Sequence, residues 1–317
     1  MGLDESSMPD AWLGHKAGSQ RAFELRPMKF SLKDVRHDQT GFEQLVRLHQ
    51  TVNEYFLEAI EIDMSNTSWF DADMSSPLGG ILYSLGSSPN SIVLTNFQDG
   101  VERILSKNGF LSSYGRNKIP DTWGTTIPYQ RFDVEDDRYF GSYIEKEFVQ
   151  RPEMPRMSEG LLKKFRESIF EIFSNAVLHS KTSLGIFSCG QYFPKKDRLD
   201  FSVTDLGIGM RQNIKDSLHL DLDPEEAVEW ACQGSNTTKR GPIPGGLGLK
   251  LLREFIGHNG GSIQIVSDAG YWRFKDGQSE KHRLAASFPG TVVTIEINTA
   301  DSKSYVLSSE LSDKDIF

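Results

Sequence analysis

The chain has 317 residues, more than one ordinary hydrophobic core organises, so two domains are expected. Hydrophobic residues at 38% and charged residues at 25%, with 28 Gly and 13 Pro, describe a packed protein and exclude a fibrous or disordered one. The 35 Lys and Arg oppose 44 Asp and Glu for a formal charge of −9, which excludes generic attraction to nucleic acid or anionic lipid, so any bound phosphate must be held locally. The two cysteines, Cys189 and Cys232, are too few for a disulfide framework or a cysteine zinc cluster and fit a reducing, cytoplasmic setting. No apolar run approaches the roughly 18 residues of a membrane span, and the first residues lack the apolar core of a signal peptide. Neither secretion nor membrane insertion is therefore expected.

In chain order, residues 1–27 are polar and aperiodic and read as a loose arm. A small α/β domain over 28–114 follows. Phe42, Leu45, Val46, Leu48, Val52 and Phe56 recur at a helical period and predict a helix, and 59–64 alternates as a strand. Leu78, Ile81, Leu82 and Leu85 predict a helix within 77–85, 91–95 a short strand and 98–108 another helix. Strands alternating with helices imply an α/β unit. Residues 115–157, with Pro120, Pro128, Pro152 and Pro155, read as a connection between domains. Its Phe132, Tyr139, Phe140, Tyr143 and Phe148 are too aromatic for a disordered tether and are expected to pack against one of the domains. The second domain is placed at 158–300 and a polar tail at 301–317.

Within that domain Phe165, Ile169, Ile172, Phe173, Ala176 and Val177 form a stripe at about 100° per residue and predict a core-facing helix over 159–181. On its opposite side Glu171, Asn175 and His179 recur every four residues, so a carboxylate, a carboxamide and an imidazole share one edge; a solvated face is the plain alternative. The strand-like 199–205, LDFSVTD, runs into Leu206-Gly207-Ile208-Gly209-Met210. Asp205 at its end offers only acceptors, which suits an exocyclic amine such as adenine N6. Gly207 and Gly209 let backbone approach a flat ring without a Cβ in the way. Further on, the glycine-rich 241–249, GPIPGGLGL, feeds the helical 250–256, KLLREFI, and N–H groups at such a helix start form an anion site suited to a di- or triphosphate. Two rival phosphate motifs fail here. A Walker loop needs Lys where Leu247 stands, and a dinucleotide fingerprint leaves a strand, whereas 223–240 reads as a helix and a polar loop.

Glu171-Ile172-Phe173-Ser174-Asn175-Ala176 resembles the Asn box of the GHKL ATPases, Asp205 to Gly209 their first glycine box, and Gly246 to Leu249 their second, in family order across residues 158–298. This superfamily includes gyrase, a heat-shock chaperone class, histidine kinases, mismatch-repair proteins and anti-sigma-factor kinases. The resemblance implies an α/β fold of Bergerat type, a two-layer sandwich with a mixed, largely antiparallel sheet backed by helices, and a nucleotide between helices and lid. It implies ATP and Mg²⁺ as cofactors, with the amide oxygen of Asn175 on the metal, in keeping with a hard cation that retains waters. Glu171 matches the carboxylate that orients or deprotonates the attacking water in the ATPase branches, a place where histidine kinases often carry other residues. Asp205 would accept from adenine N6 beside Gly207 and Gly209, and the Thr291 hydroxyl of Gly290-Thr291 would assist at the base. Gly246 and Gly248 would lie at the phosphates. The lid would run from Met210 to Gly246, with 235–240, including Thr238 and Lys239, reaching the terminal phosphate.

More faintly, residues 60–82 resemble the core of STAS domains, with Asp71-Ala72-Asp73-Met74 in place of their Asp-Ser-Ser/Ala-Gly loop. Where phosphorylated members carry an acceptor serine stand Ala72 and Asp73, with Ser75 and Ser76 nearby but out of register. The combined expectation is a Mg-ATP-binding protein, a slow ATPase whose nucleotide-dependent lid closure regulates a partner. A serine kinase of the anti-sigma type and a nucleotide-gated interaction module without turnover are the alternatives. Histidine transfer is disfavoured, since neither His37-Asp38 nor His49 sits in an H-box followed by proline. The expected partners are ATP and a protein regulator, a homodimer is left open, and neither nucleic acid nor membrane is expected.

Overall fold

The structure, a computed structural model, describes residues 27–87, 89–233, 236 and 247–310. It is a mixed α/β protein. The N-terminal unit runs β1 (Met28–Ser31), α1 (Gln39–Val52), β2 (Ala59–Asp63), α2 (Ser75–Ser87), β3 (Ser91–Thr95) and α3 (Asp99–Lys107). Its three strands pair in parallel in the order β1-β2-β3, as crossover helices require. The Asp38 side chain accepts from the N–H of Gly41 at 3.0 Å and so caps α1. The apolar stripe of α1, from Phe42 to Val52, is buried as its period predicts.

The rest of the chain builds an antiparallel sheet. Its elements are β4 (Thr126–Phe132), α4 (Asp137–Ile144) continued by a wider π turn over Glu145–Val149, β5 (Arg156–Met157), α5 (Glu159–Ser180), β6 (Ile186–Phe193), β7 (Arg198–Asp205), α6 (Gly209–Leu218), α7 (Pro224–Cys232), α8 (Leu247–Asn259), β8 (Ser262–Lys275), β9 (Gln278–Asn298) and β10 (Ser304–Tyr305). The five-strand order is β4-β6-β7-β9-β8. Every neighbouring pair runs antiparallel, where the resemblance implies a mixed sheet. Gly290-Thr291 lies inside β9 at a register shift, not ahead of the strand. Among the described residues no helix is long and apolar enough to cross a membrane.

Both faces of this sheet are covered. On one, Leu199, Phe201 and Val203 of β7 join Phe165, Ile169 and Phe173 of α5 and Leu252, Phe255 and Ile256 of α8 in one core. On the other, Phe187, Val266, Phe288 and Val292 join α1 and α2 in a second core. The N-terminal unit thus forms a third layer, packed on the open face of the sheet of the second domain. Because strand side chains alternate, the polar half of LDFSVTD is buried under that layer. Ser202 Oγ donates to the Asp73 carbonyl at 2.6 Å, and Ser76 Oγ donates to Thr204 Oγ1 at 2.7 Å.

The stretch 115–157, read from sequence as a connection, contributes an edge strand and part of the core that the sheet forms with α5 and α8. β4 pairs with β6, and Pro128 falls where its register shifts, the position an edge strand allows a residue with no N–H. Phe140 stacks on Phe173 at 4.3 Å and Phe148 on Phe201 at 4.4 Å between centroids. Of the five aromatics, Phe132, Phe140 and Phe148 are buried and Tyr143 packs against the core, while Tyr139 is 72% exposed. The tail also has a role: β10 pairs with β5, and the Glu310 carboxylate contacts Ser158 Oγ and the Gly160 N–H at the N-terminus of α5, where a negative charge is favoured.

Candidate functional site

A cleft lies between α5, α6 and α7 and the ends of β7 and β9. β7 carries its apolar residues toward α5 and ends on Asp205, so the same alternation that buries Val203 aims a carboxylate into this cleft. Beyond Asp205 the chain must pass beneath the end of α5. A Cβ on Gly207 would overlap the carbonyl of Ser180, which accepts from the Ile208 N–H at 2.8 Å. Gly209 then turns the chain into α6 with φ +73, a conformation glycine adopts without strain. The Met210 N–H at the head of α6 donates to Ser267 Oγ at 2.8 Å, and Ser267 Oγ lies 3.0 Å from Thr291 Oγ1. Strands β8 and β9 are thereby tied to the start of α6.

Asp205 is 5% exposed. Its Oδ1 accepts from the Gly207 N–H at 3.0 Å. Burial pushes its carboxyl up to about 7, against the lowering effect of the Gly207 and Thr291 backbone N–H groups. Desolvation prevails because no cation pairs with Asp205 among the ion pairs of the described residues. A buried acceptor of this kind at a concave site is suited to a ligand donor.

On α5, Glu171, Asn175 and His179 line the cleft together, so the shared edge read from their spacing is a wall of the cleft. Glu171 Oε2 accepts from the Gly248 N–H at 2.9 Å, which sets that carboxylate on the N-terminal turn of α8. Gly248 allows the approach: a Cβ there would run into the Glu171 carboxylate and lie 3.1 Å from Ser168 Cα.

Glu171, Asn175, Asp205, Gly209 and Thr291 thus all line one cleft. Gly207 shapes its floor from beneath without lining it, and Gly248 meets it through Glu171. Thr238, Lys239 and Gly246 lie outside the described residues. Of 235–240, Asn236 is described and lines the cleft. Sequence reasoning did not single out Asn213, Trp230 or Ser267. Trp230 and Asn213 sit on helices whose periods gave no reason to separate a cleft-facing polar or aromatic residue from a surface one. Ser267 is one serine in an alternating strand, with no local mark of its hydroxyl's role.

The cavity volume is about 160 Å³, an order of magnitude above the roughly 10–15 Å³ one water needs, so a small organic molecule can enter. Ile172, Ala176, Val203, Ile214, Ile265 and Val293 supply apolar walls beside the Asp205 carboxylate. An adenine ring fits that chemistry: a flat apolar body and an amine for a buried acceptor. The oxygens of Asn175 and Glu171 on the neighbouring wall are the hard donors that Mg²⁺ accepts.

No model of a known protein family matches the chain, and no curated protein matches it.

Proposed function

We infer that the chain is a Mg-ATP-binding protein of GHKL type, a slow ATPase whose nucleotide state regulates a protein partner. The observation that supports this reading is the convergence on one cleft of Glu171, Asn175, Asp205, Gly209 and Thr291, residues singled out from separate stretches of sequence. Asp205 would bind the adenine amine, Gly209 would leave room for the ring, and the Thr291 hydroxyl, held by Ser267, would assist at the base. Asn175 would hold Mg²⁺, which neutralises phosphate charge when bound. Glu171 would accept the proton of the attacking water, a role worth about 10²- to 10⁴-fold in rate. Its hydrogen bond to Gly248 fixes the carboxylate between α5 and α8.

The serine-kinase alternative narrows. Ser75 and Ser76 are fully buried, and Ser76 bonds to Phe187 and Thr204 on the sheet face opposite the cleft. Transfer to these serines within one chain is therefore disfavoured, and an external acceptor is the form of that reading left standing.

Incubation with Mg²⁺ and γ-labelled ATP tests the proposal. Free labelled phosphate, lost in Glu171→Ala while adenosine affinity is kept, is the expected result. Label appearing on a protein supports a kinase, and ATP bound without turnover supports a nucleotide-gated module. Absence of ATP binding refutes all three.

A further inference from the structure

On the sheet face turned away from the cleft, three wholly buried side chains meet: His37 ahead of α1, Asp73 ahead of α2, and Asp200 in β7. A ligating nitrogen of His37 and one carboxylate oxygen from each aspartate all lie within 4.8 Å of one another. His37 Nδ1 is 2.6 Å from Asp73 Oδ2 and 3.6 Å from Asp200 Oδ2. Asp73 Oδ1 and Asp200 Oδ1 have no hydrogen-bond partner, and Asp200 Oδ2 meets Arg198 and His37 in ion-pair geometry without a hydrogen bond, although no part of either side chain reaches solvent. Buried carboxylate oxygens are normally satisfied, and each exception calls for a cause.

The local charge does not balance either. Arg198 pairs with Asp200 at 2.8 Å, Asp71 at 3.5 Å and Glu296 at 3.7 Å, and Lys275 with Glu296 at 3.4 Å. With Asp73, four carboxylates face two permanent cations. The His37 imidazole, flanked by two of these carboxylates, offsets one of the two excess negative charges when protonated, and a divalent cation that displaces its proton offsets both.

We propose that His37 Nδ1, Asp73 and Asp200 form a binding site for a divalent transition-metal ion of the zinc or manganese kind, which fastens the N-terminal unit to β7. One imidazole nitrogen with two carboxylates is a borderline donor set, too hard for copper(I) and, through its nitrogen, ill suited to Mg²⁺. Tetrahedral zinc with bonds near 2.0–2.1 Å wants ligand atoms about 3.3 Å apart. The two observed separations bracket that spacing, and the Asp73 and Asp200 oxygens lie within 4.8 Å of each other. Arg198 holds one side of the Asp200 carboxylate, as outer partners of metal-binding carboxylates do. The cation takes the Nδ1 lone pair, and any proton there leaves to solvent. This site is separate from the cleft and does not depend on the nucleotide reading.

The test uses the full chain, purified without a metal-affinity tag. Elemental analysis after gel filtration in buffer supplemented with zinc or manganese is expected to find one equivalent of that metal per chain. A chelator is expected to remove it and lower the Tm by about 5 °C or more, with recovery on adding the same metal. His37→Gln, which keeps a polar group of similar reach, is expected to lose at least nine-tenths of the bound metal and the Tm response. Metal at well under one equivalent, with a Tm indifferent to chelator and to both added metals, overturns the proposal. So does a folded His37→Gln protein that retains metal as the parent does. Should that variant fail to fold, metal content and the chelator response of the parent still decide.

Discussion

The two faces of the five-stranded sheet bury polar groups in contrasting ways, and strand β7 displays both. Asp205 looks into the cleft with two backbone N–H partners and, among the described residues, no paired cation, and burial raises its carboxyl to about 7. Asp200, five residues earlier, looks into the N-terminal unit and lies against Arg198 at 2.8 Å and His37 at 3.6 Å. There, burial pulls the imidazole of His37 down, but the Asp200 and Asp73 carboxylates outweigh it and raise it to about 10. A buried carboxylate with counter-charges around it holds two layers together. One with no paired cation among the described residues, beside an open cleft, is the acceptor that the proposed ligand would use.

The largest effect should come from the closed face. Asp200→Ala takes the nearest carboxylate from Arg198, which keeps only the more distant Asp71 and Glu296, and leaves His37 with Asp73 alone; breaking a buried pair in this way costs about 3–5 kcal/mol. Urea unfolding should show that loss, while the folded fraction binds adenosine as before; an unchanged midpoint would mean the two layers are held by apolar packing alone. Asp205→Asn keeps an oxygen for the Gly207 N–H but removes the charge, so adenosine affinity should fall by about 10- to 100-fold, the worth of a hydrogen bond to a charged group. Stability should move the other way. The folded carboxyl titrates near 7 and the unfolded one near 3.8, so the folded state binds the proton more tightly and this group's contribution declines as pH rises between those values. Asp205→Asn should therefore raise the Tm at pH 8 and leave it unchanged near pH 4.

A smaller effect sharpens the same contrast. If ionised Asp205 accepts the adenine amine, adenosine affinity should fall by up to about tenfold per unit as pH drops below 7, and Asp205→Asn should flatten that profile. Smallest is Ser76→Ala, which removes donation to Thr204 and Phe187 and should cost about 1–2 kcal/mol by thermal unfolding with adenosine affinity unaltered. A comparable loss of affinity there would show that the two faces are energetically coupled through β7.

Much of the cleft was legible because its residues carry local marks. The period of α5 sets Glu171, Asn175 and His179 on one edge, and Asp205 stands at a strand end before Gly207 and Gly209. The opposite face was not legible. Asp200, Ser202 and Thr204 alternate with apolar residues as an exposed strand face does, and their burial comes from His37, Asp73 and Ser76, far away in sequence. β4 was hidden by Pro128, which reads as a loop until its bulge on an edge strand is seen. The reach of β8 and β9 was hidden likewise: beyond the bulge near Asp268 the hairpin is held by pairs such as Arg283 with Asp223 and Lys281 with Glu226, contacts with no local sequence period.

Calorimetric titration of the full chain with Mg-ATP bears most directly on the cleft. The account predicts one nucleotide bound per chain, with Asp205→Asn weakening it by at least tenfold while the variant stays folded. No heat of binding under conditions where the protein is folded, or equal affinity in the parent and in Asp205→Asn, would contradict it.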